Sequence, residues 1–403
     1  MNILIAGGGT GGHVYPALAL IEELRRSQEK IRIGYVGTAK GIESRIVRHE
    51  SGIEFFEIEA SGVERKLTSK TIREAWSNLK GLSLSLNIIA HFDPHVIVGT
   101  GGYVSFGPLL WGTLLGIPTL IHEQNRIPGL VNTLLAPLVD SVLVSFPETA
   151  NEIRAKRAVH TGLPLRSSIT ALREKLDQTS AREYLKLDPN RPVVLVTGGT
   201  HGAQCIHDQL LSGSSELQEC GVQLVILAGR DAVRLQSLTR QRNSDSIRVL
   251  GHTHEVGQWM KAADLMVCRA GGATLAEMTT LGVPAIVIPW PGAAHNHQEE
   301  NAAWLSERGA CHLLRESECQ EDRLVKEVLK LLGDSTRLTS LRNRCATLAV
   351  PDATEQVLRE VILHLEHGNQ RETISLYRNW RRWNERLGVD LTRARAFRQR
   401  FGL

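Results

Sequence analysis

The sequence predicts an α/β protein made of two doubly wound, Rossmann-like domains facing across a cleft, and two observations carry that prediction. The opening stretch LIAGGGTGGH from Leu4 returns as LVTGGTHGAQ from Leu195, so an apolar strand feeding a glycine loop opens each half of the chain. Apolar runs of strand length also alternate with longer helical patterns throughout, which is the sign of parallel strands joined by helical crossovers. At 403 residues with 42% hydrophobic content, the chain can build two or three domains with sizeable cores.

Taken in order, Asn2 to Ala6 reads as a strand, Gly7 to His13 (GGGTGGH) as its loop, and Pro16 to Arg26 as an amphipathic helix. Gly7, Gly9 and Gly12 match the dinucleotide pattern G-x-G-x-x-G. The next strand, Ile31 to Val36, however, ends in Gly37-Thr38 where a ribose-binding acid is expected, which argues against a nicotinamide cofactor. What survives is a loop that lets a ligand approach the backbone, with His13 at the helix entrance as a cap or a catalytic group.

Ser61 to Leu86 mixes Arg65, Lys66, Lys70, Arg73 and Lys80 with Ile72, Trp76 and Leu79 on one helical face. Such a helix either packs on the sheet or leans on an anionic bilayer. Val96 to Val98 leads into a second glycine loop, GTGGYVSFGP, with Gly101, Gly102 and Tyr103 at its centre, then a helix Leu109 to Leu115. The strand Thr119 to His122 is followed by Glu123, Gln124 and Asn125; Ser141 to Val144 is one more strand, and TGLPLR (Thr161 to Arg166) is the exit from the first domain.

Ala171 to Asn190 is charged and helical, and Val193 to Thr197 with GGTHGAQ opens the second domain. Leu224 to Leu227 and Ile247 to Leu250 extend its sheet. The strand Leu265 to Val267, Gly271-Gly272 and the helix Ala273 to Leu281 form a phosphate-binding geometry: a helix N-terminus offers unpaired N–H groups and positive charge, and Glu277, one turn in, can accept ribose hydroxyls. The helix stops at Gly282; Pro284 opens the strand Ala285 to Ile288, whose loop carries His295, Asn296, His297 and Gln298. Because ligands gather at the carboxyl ends of parallel strands, Gly271, Glu277 and Gln298 are expected to line one crevice. Glu299 to Glu307, Arg323 to Leu332 and Pro351 to His367 are further helices. The expected domains are 1–164, 165–367, whose last helix can pack back on the first domain, and a tail, 368–403, whose nine arginines against three acids give a local +6 in a chain of net +4.

Several classes are disfavoured. No uninterrupted apolar run approaches the ~18 residues of a membrane span, and no basic stretch precedes the first strand, so neither a transmembrane helix nor a secretory leader is expected. The six cysteines form no CxxC pair, which points to reduced thiols and against a metal cluster. The basic balance resides in the tail and does not call for nucleic acid. No serine-nucleophile elbow, Walker loop or Asp-x-Asp pair is present, so a diphosphate would be met by helix N-termini, backbone N–H groups and Arg166 rather than by a bridged metal. Glycine loops on both walls of a cleft suit transfer from a nucleotide-activated donor to an acceptor.

GGGTGGHVYPALA, GTGGYVSFGP, HEQN (His122 to Asn125), GGTHGA, CRAGGATLAE and HNHQEENA (His295 to Ala302) together resemble the peptidoglycan N-acetylglucosaminyltransferases that make lipid II, over about residues 1–362. The resemblance implies a B-type glycosyltransferase fold and inverting transfer of GlcNAc from UDP-GlcNAc to undecaprenyl-diphospho-MurNAc-pentapeptide. It also implies a peripheral location on the anionic cytoplasmic face of the inner membrane, beside other cell-wall enzymes. Donor contacts carried over by position are Thr10, Gly11, Gly12, Asn125, Arg166, Thr200, Thr253, Gly272, Ala273, Thr274, Leu275, Ala276, Glu277 and Gln298. Gly101, Gly102 and Tyr103 correspond to the acceptor side, and His13, then Glu123, are the candidates for the base. No tightly bound metal is expected. Thr200 stands where the family more often has Ser, and Leu163 where it often has Asn. A UDP-sugar epimerase, a glycolipid glycosyltransferase of other acceptor choice, and an inactive membrane scaffold remain alternatives. The tail, with Tyr377, Trp380, Trp383, Phe397 and its arginines, is expected to bind anionic lipid, a protein partner or nothing at all.

Overall fold

The computed structural model describes residues 1–27, 31–60, 69–198, 203–242, 246–320 and 322–368. Contacts divide the chain into two units, one comprising Met1–Glu123, Pro128–His160 and the chain from Glu355, the other Gln124–Ile127 and Thr161–Thr354.

The first unit holds seven parallel strands: β1 (Asn2–Gly7), β2 (Arg32–Gly37), β3 (Ile53–Glu57), β4 (Val96–Gly101), β5 (Thr119–Glu123), β6 (Ser141–Val144) and β7 (Ala158–His160). Their spatial order is β3-β2-β1-β4-β5-β6-β7. Alternation along β1 feeds two cores: Ile3 and Ile5 join Val14, Val96 and Val98 on one face, while Leu4 and Ala6 join Ile97, Ile89 and Phe92 on the other. Covering both faces is what a parallel sheet requires, and the helix Ala353–Gly368 contributes by adding Val357, Val361 and Leu365 to the first of these cores. It is fixed there by the Arg157–Glu360 ion pair and by Ser141 against His364, at 3.1 Å.

The second unit repeats the plan with β8 (Val193–Thr197), β9 (Gln223–Leu227), β10 (Ile247–Leu250), β11 (Leu265–Cys268), β12 (Ala285–Val287) and β13 (His312–Leu313), in the order β10-β9-β8-β11-β12-β13. In each sheet the chain winds outward one way and then returns to wind the other way. The reversals fall between β1 and β4 and between β8 and β11, and the loops leaving these strands frame the crevices where α/β folds bind ligands.

Several elements depart from the sequence reading. The first helix begins at Gly11, with Pro16 inside it, because Thr10 is already extended and serves as its N-cap. The charged stretch 171–190 is broken: Asp177 accepts the Ser180 N–H at 2.9 Å and starts a separate helix, Gln178–Tyr184. The strands β3, β7 and β13 and the helix Ser335–Leu348 carry too little periodic signal to stand out in sequence. The helix read within 61–86 is observed as Ser69–Phe92. No helix among the described residues is long and apolar enough to cross a membrane, and none of the six cysteines is in a disulfide. Thr200 and the tail beyond Gly368 lie outside the described residues.

Candidate active site

In the second unit, β11 ends at Cys268 and the chain turns through Arg269, Ala270 and Gly271 into the helix Gly272–Leu281. Arg269 points away from the turn's mouth: its buried guanidinium pairs with Glu316 and donates to the carbonyls of Ile288 and Pro289, both at 3.3 Å. It therefore stiffens the turn rather than presenting charge to a ligand. No side chain caps the helix at Gly271, and no acid sits in its first turn, so the amides of Gly272, Ala273 and Thr274 keep their positive end available. By contrast, the helix His297–Glu307 carries Glu299 and Glu300 in its first turn.

Glu277 lies one turn into the uncapped helix, half-buried, and makes no hydrogen bond or ion pair with any described residue. Burial pushes its carboxyl up to about 7. A carboxylate drawn out of water without a donor is a destabilised group, and a vicinal diol supplies the neutral pair of donors that relieves it.

Asn125 joins this region through a residue that sequence reasoning passed over. Asn301, fully buried, donates to Asn125 Oδ1 at 3.1 Å and to the Ala270 carbonyl at 3.0 Å, and accepts the Arg126 N–H at 2.8 Å. Segment 124–127 is thereby laid against the helix N-terminus, so closely that a Cβ on Gly272 would stand 2.5 Å from the Gln124 carbonyl oxygen. Only glycine fits there. The hint available in sequence was an asparagine four residues after His297, the first helical position, a polar group on the inward face.

Gln298 accepts the Trp290 N–H at 2.9 Å, which fixes the loop after β12, where His295 and Asn296 both adopt left-handed backbone at φ 52° and 56°. Arg166 stands at the N-cap position of the short helix Ser167–Thr170 without a side-chain capping bond, and its guanidinium is in no ion pair among the described residues. Thr253, in the loop after β10, accepts the Glu255 N–H at 3.1 Å. Leu275 is core, and Ala276 is packed partly against that core.

In the first unit, the crevice between β1 and β4 brings His13, Thr10, Gly11, Gly12, Gly101, Gly102 and Tyr103 together. His13 Nδ1 donates to the Gly8 carbonyl at 2.8 Å, with the Thr10 hydroxyl at 3.5 Å. That bond selects the tautomer with Nε2 as the basic nitrogen. Gly101 and Gly102 have φ of 106° and 81°, and a Cβ on Gly101 would lie 2.8 Å from the imidazole Cδ2, so the ring is flanked by bare backbone. Tyr103 follows, exposed. Glu123 is buried at the end of β5, where its Oε2 accepts from Gly129 N at 2.9 Å and Asn132 Nδ2 at 2.7 Å. This carboxylate shapes the loop that carries Asn125.

The ribose-binding acid that seemed missing after β2 has a counterpart with a different use. Glu43, from the helix Ile42–Val47, turns back to take Thr38 N at 2.9 Å, Thr38 Oγ1 at 2.6 Å and Gly9 N at 3.1 Å. Its carboxylate closes the first glycine loop from behind, leaving no place for a dinucleotide ribose.

Residues 3–144 match the glycosyltransferase family 28 N-terminal domain and residues 193–357 its C-terminal domain. The UDP-N-acetylglucosamine–N-acetylmuramyl-(pentapeptide) pyrophosphoryl-undecaprenol N-acetylglucosamine transferase of Bacillus licheniformis is 38% identical over 371 residues, 91% of this chain and 99% of that protein. The protein of the same name from Caldanaerobacter subterraneus subsp. tengcongensis is 37% identical over 90% of this chain and 99% of its own. Among solved structures, MurG of Acinetobacter baumannii superposes with a TM-score of 0.68 at 26% identity, covering 89% of this chain and 98% of that one. Two parallel-sheet units with glycine-lined crevices, matched from end to end by these relatives, establish that the chain belongs to glycosyltransferase family 28, among the UDP-GlcNAc-dependent N-acetylglucosaminyltransferases.

Proposed function

We propose that this protein transfers GlcNAc from UDP-GlcNAc, with inversion, to the C4 hydroxyl of MurNAc-pentapeptide carried on undecaprenyl diphosphate. The observation that carries the donor half is Glu277, an unpaired, desolvated carboxylate one turn inside an uncapped helix N-terminus. In this reading Glu277 accepts the two ribose hydroxyls. The amides of Gly272 to Thr274, with Arg166, meet the diphosphate; Leu275 and Ala276 complete the wall; and Thr253 and Thr200 serve the nucleoside side. Asn125, Gln298 and the loop Thr10 to Gly12 hold the sugar.

Gly101, Gly102 and Tyr103 receive the acceptor diphosphate through backbone N–H groups. His13 Nε2 takes the acceptor hydroxyl proton as that oxygen bonds to the anomeric carbon, while the bond to UDP breaks and UDP departs with the electron pair. Glu123 is the less suited base because one of its oxygens is already engaged by two donors. The relatives' name, which specifies both the donor sugar and the lipid-linked acceptor, supports this choice of substrates.

The acceptor's lipid calls for work at a membrane surface. Leu79, Leu114, Leu130 and Leu134 are exposed on three successively packed helices of the first unit, and Leu138 in the turn after the last of them, which supports peripheral attachment to a membrane surface. The reaction as written needs no bound metal. Transfer of labelled GlcNAc to a short-chain lipid I analogue, with and without EDTA, tests the whole reading. Disaccharide under both conditions supports it; UDP release with free sugar favours an epimerase, and donor binding without turnover favours a scaffold.

A further inference from the structure

We propose that Glu43 sets the position and basicity of His13 through the Gly8–Gly9 peptide unit, an inference that rests on His13 acting as the base. The two contacts described above belong to one amide: the Gly9 N–H donates to Glu43 Oε2 at 3.1 Å, and the Gly8 carbonyl of the same unit accepts from His13 Nδ1 at 2.8 Å. With the Gly8–Gly9 peptide trans, its N–H and C=O point in opposite directions, so carboxylate and imidazole sit at opposite edges of one amide plane. A negative charge at the N–H end polarises the amide, makes its carbonyl a stronger acceptor, and so stabilises positive charge on the ring. The chain carboxylate, peptide, imidazole does what a carboxylate bonded directly to histidine does, with one amide interposed.

The surroundings keep this line intact. Glu43 is fully buried, and all three of its partners are donors, so it serves wholly as an acceptor. A Cβ on Gly8 would lie 2.5 Å from Glu43 Oε1, and one on Gly41 2.1 Å from the same oxygen, so both glycines leave the carboxylate its room. The preceding peptide is held as well: Gly8 N donates to the Gly101 carbonyl at 3.3 Å, tying the loop to β4. Facing the line from neighbouring elements are the Thr10 hydroxyl beside Nδ1 and the buried Tyr35 phenol of β2, which donates to the Gly7 carbonyl at 2.8 Å. Burial, with the Glu43 charge, drives the phenol's titration upward, so Tyr35 stays neutral beside the carboxylate.

The test is the titration of His13 followed by NMR of its ring nitrogens in the full chain. Glu43→Gln lowers the His13 pKa by ~0.5–1, the smaller end of what a nearby charge exerts because one amide intervenes. Glu43→Asp, which keeps the charge but retracts it, gives a smaller fall and serves if the amide variant fails to fold. Thr38→Val, which removes a neutral donor and leaves the charge, gives none. A His13 titration unchanged in both folded Glu43 variants, or moved as far by Thr38→Val, overturns the proposal. The acid limb of kcat/KM then reports on the base separately. If the His13 pKa falls and the limb moves with it to lower pH, above a reduced plateau, both readings stand. If the pKa falls while the limb stays, the relay stands and His13 is not the base.

Discussion

Replacing Glu277 by glutamine should make the protein more stable and a poorer binder of its donor, and the two effects should part company with pH. Its folded carboxyl lies at about 7 rather than 4.5, so the ionised form is disfavoured in the folded protein. The sign follows: the penalty is fully present above pH 7, fades as pH falls, and is gone below 4.5. The interval corresponds to at most about 3.4 kcal/mol, and residual solvent access reduces this to ~1–2 kcal/mol. For a unit of this size that is roughly 2–8 °C in Tm. Thermal melts of wild type and Glu277→Gln at pH 8.5 should differ by this amount in favour of the variant, and at pH 4.5 they should converge. Titration calorimetry with UDP-GlcNAc should show the opposite order, with ~1.5–3 kcal/mol of hydrogen bonding to a charged acceptor lost, a weakening of about 10- to 150-fold. The wild type itself should bind donor more weakly as pH drops below 7, since protonation removes an acceptor the diol needs. A variant that melts lower than wild type at pH 8.5 while binding donor unchanged would refute the picture of a strained carboxylate awaiting a ribose.

Other substitutions probe the remaining roles. His13→Ala should lower kcat by ~10²- to 10⁴-fold with little change in donor KM, the usual range for losing a positioned base; steady-state kinetics on a lipid I analogue checks it. Arg166→Ala should raise donor KM by about 10-fold or more through loss of a charge-assisted contact to diphosphate, and its effect on UDP affinity should exceed that on uridine. Asn301→Ala should destabilise the fold by ~2–4 kcal/mol by orphaning the Arg126 N–H and Ala270 carbonyl, and should also raise donor KM by releasing Asn125. Paired substitutions Leu130→Asp and Leu134→Asp on the exposed face of the helix Leu130–Leu135 should reduce flotation with anionic vesicles while leaving turnover of a water-soluble acceptor intact.

Much of this site was legible because its chemistry depends on backbone shape. The glycine loops at 7–12, 101–102 and 271–272 mark places where backbone is approached closely, as it is at Gly7, Gly8, Gly101, Gly102 and Gly272, and the carboxylate one turn beyond Gly272 stands where the proposed ribose contact requires it. What escaped were residues acting through other residues. Glu43 is six positions past the end of β2 and reaches back across a turn, so its link to Gly9 has no spacing rule. Asn301 connects to residues 175 and 176 positions away, a distance at which helical periodicity says nothing. Arg269 stands beside a phosphate-binding turn, yet Glu316 and two carbonyls turn it inward, which its type and place in the sequence do not reveal. The short edge strands β7 and β13, three and two residues long, carry too few side chains for alternation to appear.

The most direct test of the central claim is the configuration of the new glycosidic bond in product made from UDP-GlcNAc and a lipid I analogue, read from the anomeric proton coupling. A single in-line displacement predicts a β-linked GlcNAc on the MurNAc C4 hydroxyl, with the large diaxial coupling; an α-linked product, or UDP with free sugar and no disaccharide, would contradict it.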